Sequence, residues 1–242
     1  MTVAQILNLL YNLVDRMYIG HIPGASSLAL TGVGITFPII SMITAFANLF
    51  GMGGAPLCSM ARGRRDYDAA KRYMQNAFWM LFAAGVVLTV TGYVIEKPLL
   101  YALGASSVTY PYASSYLRIY LLGNMFVMVG IGMNPFINAQ GFGTMGMVTV
   151  GLGALANIIL DPLFIFVFHM GVEGAAIATI IAQFLSALWV LFFLTGEKPD
   201  LRLKICWRKP EFTVVKEIVS LGLSNFCLLY TSPSPRDGAT SR

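Results

Sequence analysis

Asn157 and Asp161 stand four residues apart within an apolar run from Met147 to Phe168. On a helix that spacing puts an amide and a carboxylate on one face, one turn apart. Pro162 follows at once and lacks the amide hydrogen that would pair a carbonyl one turn back. Carboxylate, amide and freed carbonyl together offer oxygen ligands to a hard cation, or a carboxylate that can take up a proton. No Lys or Arg follows Asp161 within two turns to neutralise it. The other ionisable groups in apolar runs are Asp15, Arg16 and Arg118. In a membrane each such group costs about 2.5–3.5 kcal/mol on insertion scales, so each needs a reason. Arg16 and Arg118 lie near the ends of their runs and read as side chains that snorkel to the interface. Asp15 reads as an interfacial residue near the outer end of a short helix.

Other chemistry is sparse. Cys58, Cys206 and Cys227 show no CxxC spacing, so neither a disulfide framework nor a zinc site is implied. His21 and His169 fall in separate short connections, which argues against a metal pair. The GMGG stretch at 51–54 has no following Lys-Ser/Thr and no preceding strand, so it is not a phosphate loop. The glycines at 123, 130, 132, 151 and 153 read as close-packing points between helices. Met125, Met128 and Met133 could line a promiscuous binding pocket, but residues of this kind are more often core filling.

The elements that must carry these residues follow from composition. Hydrophobic residues make up 57% of the chain and charged residues 11%, against about 25% charged in soluble domains. Mean hydropathy is +0.71. The net charge of +5 is confined to loops and is no nucleic-acid signal. A bilayer core needs about 20 helical residues, and runs of that kind recur: span one, Val3–Ile19; span two, Leu28–Cys58, broken by Pro38; span three, Tyr73–Ile95; span four, Tyr112–Phe136; span five, Met147–Phe168; span six, Gly174–Leu194; and the start of span seven, Phe212 to about Leu229. The fold class expected is an all-α polytopic bundle of six transmembrane helices plus a partial seventh. In this division, residues 1–195 form a six-helix lobe, 196–211 a basic loop, 212–229 a partial helix and 230–242 a disordered tail.

Arg62, Arg64, Arg65, Lys71 and Arg72 lie between spans two and three, and Lys198, Arg202, Lys204, Arg208 and Lys209 between spans six and seven. The loops expected on the other face carry only Lys97. Basic loops stay in the cytoplasm during insertion, which predicts a cell-membrane protein with a cytoplasmic N-terminus. The first twenty residues lack a basic n-region, so no cleavable signal peptide is expected. The chain is expected to be a fragment: span one has no flanking loop before Met1, and the string from Cys227 to Arg242 looks like a translated sequencing adapter.

YNLVDRMYIG (11–20), ALTGVGITFPI (29–39), GMGGAPLCSMARGRRDYDAAKR (51–72) and, most densely, NAQGFGTMGMVTVGLGALANIILDPLFIFVFHMGVEGAAIATIIAQ (138–183) resemble the multidrug and toxic compound extrusion (MATE) family. The resemblance covers most of the chain to about residue 226. It implies a twelve-helix fold of two six-helix lobes, with spans one to six as the N-lobe and the C-terminal lobe missing. It implies a secondary antiporter that exports organic cations or drugs in exchange for sodium ions or protons, with no other cofactor. It also implies that Asp15, Asn157, Asp161 and Thr179 form the site for the coupling proton or Na⁺, with Thr179 entering only on this ground. The alternative from the same broad superfamily is a flippase for lipid-linked sugars, which would line its cavity with several basic residues. The spans hold only Arg16 and Arg118. A membrane enzyme would need a His, Cys or acid cluster at one membrane face, and neither histidine has a partner in its own loop.

Overall fold

The computed structural model describes residues 17, 18, 20, 26–196, 199–203 and 211–230. The described residues are helical, with short turns between helices and no strand. Span two runs Ser26–Gly63, span three Tyr67–Ala102, span four Tyr110–Ala139, span five Gly143–Pro162 with a π-helical turn Leu163–Val167, span six Gly171–Thr195 and span seven Phe212–Tyr230. Five of these, spans two to six, are long and apolar enough to cross a membrane. Of span one, Met17, Tyr18 and Gly20 are described; Asp15, Arg16 and the tail from residue 231 lie outside the described residues.

The helices outrun their apolar stretches because lipid contact sets only the middle of each. Local capping sets the ends. Asp66 begins span three, its carboxylate accepting from the Ala69 amide at 2.9 Å, which satisfies one free N–H of the first turn. The turns between helices use left-handed backbone at Arg65, Gly104, Gly141, His169 and Gly171. Two expectations need correction. Pro38 does not break span two, which stays helical through both Pro38 and Pro56. Neighbouring helices in a membrane bundle support a helix across a lost hydrogen bond. Glu96 and Lys97 are not in a loop either, because span three continues through Pro98 to Ala102.

Span four is the packing centre, set against spans two, three and six, with span five on span six and span seven on span two. Glycines let these helices approach. A Cβ on Gly51 would strike the Gly132 backbone, and one on Gly53 the Ile218 carbonyl beside Gly222. Gly132 faces Leu81, and Gly123 faces Ile180. The glycine-rich stretch of span two is therefore a packing surface, against span four on one side and span seven on another.

The face bearing the basic loops is tied together by polar contacts. Arg62 pairs with Asp200 at 2.7 Å and donates to the Ala139 carbonyl at 3.3 Å. The Leu201 amide donates to the Gln140 side chain at 3.0 Å, and the Leu203 amide to the Leu194 carbonyl at 2.8 Å. Leu201 and Leu203 are buried, so this part of the linker is packed onto the helices. At the start of span seven, the Glu211 amide donates to Asn76 at 3.1 Å, and the Tyr73 hydroxyl donates to Glu217.

Candidate functional site

Span five has two chemically opposite faces. Leu155 and Ile159 are 62% and 65% exposed, whereas Asn157 and Asp161 are 2% and 0% exposed. At about 100° per residue, Leu155 and Ile159 lie roughly half a turn around the helix from Asn157 and Asp161. The polar pair faces span six. There the Asn157 amide nitrogen donates to an Asp161 carboxylate oxygen at 3.1 Å and reaches the Thr179 hydroxyl at 3.4 Å. The Thr179 hydroxyl spends its own hydrogen on the Ala175 carbonyl at 2.9 Å, one turn back on span six.

That arrangement has a definite chemical sense. The donors of Asn157 and Thr179 are directed within the protein, and what the cluster presents is oxygen. The Asn157 carbonyl oxygen is buried and has no hydrogen-bond partner among the described residues. Turning the amide over would set that oxygen against the carboxylate, so the network fixes its orientation. The Asp161 carboxylate and the Thr179 hydroxyl oxygen complete a group of hard ligands suited to an alkali cation. A proton on Asp161 is the other way to settle a buried carboxylate.

Below the site the helix changes form. In an α-helix the amide absent at Pro162 is the one that would pair the carbonyl four residues back, that of Ile158. Immediately after it the backbone widens into the π turn, with the Phe168 amide bonded to the Leu163 carbonyl at 3.0 Å. Such turns recur at functional sites because they re-aim side chains within a continuous helix. Tyr18, at the end of span one, meets Phe166 of this turn edge-on at 6.1 Å between ring centres.

The structure thus brings together Asn157, Asp161 and Thr179 of the four expected residues. Asp15 lies outside the described residues. A second polar group was missed by sequence reading. Glu96 of span three is buried, takes the Ser114 hydroxyl as a donor and pairs with the Arg118 Nε at 2.8 Å. Arg118 therefore has a carboxylate partner in the neighbouring helix, beyond the snorkelling role expected of it. Two unlike charges bordering adjacent antiparallel runs were the available signal.

The comparisons agree with this architecture. The family model described as MatE matches residues 1–163. Multidrug export protein MepA of Staphylococcus haemolyticus (strain JCSC1435) is 27% identical over 229 residues, covering 95% of this chain and 50% of that protein. A crystal structure of MATE in complex with MaD3S superposes with a TM-score of 0.87 at 25% identity, over 94% of this chain and 51% of that one. An outward-facing multidrug resistance MATE transporter of the MOP superfamily gives 0.86 at 26% identity, over 94% of this chain and 50% of that one. This chain spans about half the length of the relatives it matches. By the family match and the bundle it builds, the chain is a multi-pass membrane protein and belongs to the MatE family.

Proposed function

We propose that this chain forms one lobe of a secondary antiporter that exports organic cations or other drugs against an inward flow of sodium ions or protons. It works as a transporter and catalyses no covalent chemistry. The observation that carries the reading is the Asn157–Asp161–Thr179 cluster. Its donors are bonded inward and its oxygens are grouped in a buried site on the inner face of span five. Relatives named for multidrug export, and solved MATE transporters, support the drug as cargo.

Asp15 joins this site as the second carboxylate. The contact of Tyr18 with Phe166 supports it, because that contact sets the end of span one against span five. Two acids in one low-dielectric site disfavour double ionisation, so one holds a proton or a cation lies between them. Neutralisation by either ion then favours one arrangement of the lobes, and drug binding the other. Only such a difference in affinity between states couples the two flows. The basic loops and the N-terminus are cytoplasmic in this reading.

The test uses the full-length transporter that carries this sequence, reconstituted in proteoliposomes. Drug flux is measured under an imposed sodium gradient and, separately, a pH gradient. One gradient should drive flux in the native protein, and Asp161→Asn should abolish the driven component while insertion and passive drug binding persist. Full gradient-driven flux in that variant would remove the site from the mechanism.

A further inference from the structure

We infer that Arg118 and its surroundings form a binding site for the phosphate headgroup of a membrane phospholipid, in the leaflet opposite the basic loops. The inference is independent of the coupling site, which lies between spans five and six.

The starting point is an asymmetric ion pair. The Glu96 side chain is 5% exposed and that of Arg118 is 59% exposed. Arg118 engages Glu96 through Nε, at 2.8 Å. The carboxylate is held from its other oxygen by the Ser114 hydroxyl. One edge of the guanidinium is thus anchored in protein. The Tyr110 side chain also hydrogen-bonds the guanidinium, and the remaining terminal N–H donors belong to the exposed part, where they can meet phosphate oxygens.

Exposed apolar side chains on the same two membrane-spanning helices offer a surface for acyl chains. Leu122, one turn further along the same face of span four, is exposed, as are Val90 and Val94 of span three. A guanidinium that snorkels from such a surface meets the acceptors of the interface, the headgroup phosphates. Side chains on a helix lean toward its N-terminus. The N-terminus of span four lies on the face away from the basic loops, so Arg118 leans toward the headgroups of that leaflet. Tyrosines mark the same level. The Tyr93 hydroxyl donates to the Arg118 carbonyl at 2.7 Å, and Tyr101 stacks on Tyr110 with ring centres 5.3 Å apart. Tyrosines gather where apolar core meets headgroups. Charge agrees: Lys97, next to Glu96, is exposed, so Glu96, Lys97 and Arg118 together carry one net positive charge. A phosphodiester carries the matching negative one.

Free inorganic phosphate offers the same oxygens, but it lacks acyl chains to lie along Val90, Val94 and Leu122. The experiment separates these sources. The purified 242-residue chain is delipidated in detergent. Phosphatidylglycerol, diacylglycerol with the same acyl chains, and sodium phosphate are then titrated in, with bound species counted by native mass spectrometry and thermal stability followed in parallel. The native chain should retain one more tightly bound phosphatidylglycerol than Arg118→Gln, whose affinity for that lipid should fall about tenfold, the loss expected for a charge-assisted pair. Lys71→Gln, on the opposite face, should keep the difference intact. Phosphatidylglycerol should raise the melting temperature of the native chain, and neither diacylglycerol nor sodium phosphate should. The double variant Glu96→Gln/Arg118→Gln leaves no unpaired buried carboxylate, so it decides the matter should the single variant unfold; it should also lose that lipid. Equal phosphatidylglycerol occupancy with and without Arg118, or equal stabilisation by diacylglycerol, overturns the site. Equal stabilisation by sodium phosphate overturns the lipid as its ligand.

Discussion

The Tyr73 hydroxyl of span three donates to the Glu217 carboxylate of span seven, across 144 positions of sequence. Arg72 lies 3.9 Å from Glu211 in the same seam, and the Glu211 amide is bonded to Asn76. The Tyr73–Glu217 and Arg72–Glu211 contacts are exposed, so each contributes about 1 kcal/mol or less. Weak, solvated contacts suit a seam that opens during a transport cycle in which one lobe rocks against the other. Cysteines at Tyr73 and Glu217, with Cys58, Cys206 and Cys227 replaced, should be joined by a short bis-maleimide. In the full-length transporter that bridge should stop flux, while a mono-functional maleimide should not. A bridged transporter running at its normal rate would show that the seam never opens.

The same seam rests on glycine. A Cβ on Gly53 would press on the Ile218 carbonyl, and one on Gly222 on the Leu49 carbonyl. Backbone cannot swing aside as a long side chain can, so the helices must separate. Overpacking of this kind costs roughly 1–3 kcal/mol. Gly53→Ala should therefore lower the yield of the Tyr73–Glu217 bridge and the thermal stability of the chain. Gly34→Ala and Gly151→Ala meet nothing within 4 Å and should leave both unchanged. Equal bridging in all three variants would mean that the close approach is not needed.

Orientation is tested from the loops. Arg64 and Ser107 are both exposed, on connections at opposite ends of span three. In whole cells a membrane-impermeant thiol reagent should label Ser107→Cys and spare Arg64→Cys until the membrane is opened. The reverse pattern would invert the assignment of the basic loops to the cytoplasm.

Asn157 and Asp161 were legible in the sequence because a helix face depends only on local spacing. Helical order in spans two to six was legible for the same reason, since a run of apolar residues records its own solvent. Contacts between helices were not. Glu96 and Arg118 meet only once spans three and four are set in register, and no local spacing states that register. Pro38 misled because a rule learned in water, that proline ends a helix, weakens where neighbouring helices hold the backbone. Leu201 and Leu203 sit in a basic stretch that reads as solvated loop, and Arg62 and Gln140, distant in sequence, bring that stretch down onto the bundle. Thr179 carried no signal of its own, since its hydroxyl bonds back to Ala175 as many helical threonines do. Only the family resemblance singled it out.

The roles within the proposed coupling site should separate by variant. Asn157 both orients the carboxylate and offers its own oxygen, so Asn157→Ala removes a ligand and a hydrogen bond to a charged group. That bond is worth roughly 1.5–3 kcal/mol, which corresponds to about a 10–100-fold weaker coupling ion. Thr179 contributes one neutral oxygen at the longer distance of 3.4 Å. Thr179→Val, which keeps the shape and removes the oxygen, should weaken the ion by about tenfold or less. Thr179→Ser keeps the oxygen and should stay close to native. The readout is the sodium concentration, or the pH, that gives half-maximal drug exchange in proteoliposomes. Drug affinity in the absence of a gradient should change far less than this coupling-ion dependence. If Thr179→Val and Asn157→Ala shift drug affinity while leaving the ion dependence at its native value, these residues bind the cargo, and the assignment of the cluster to the coupling ion fails.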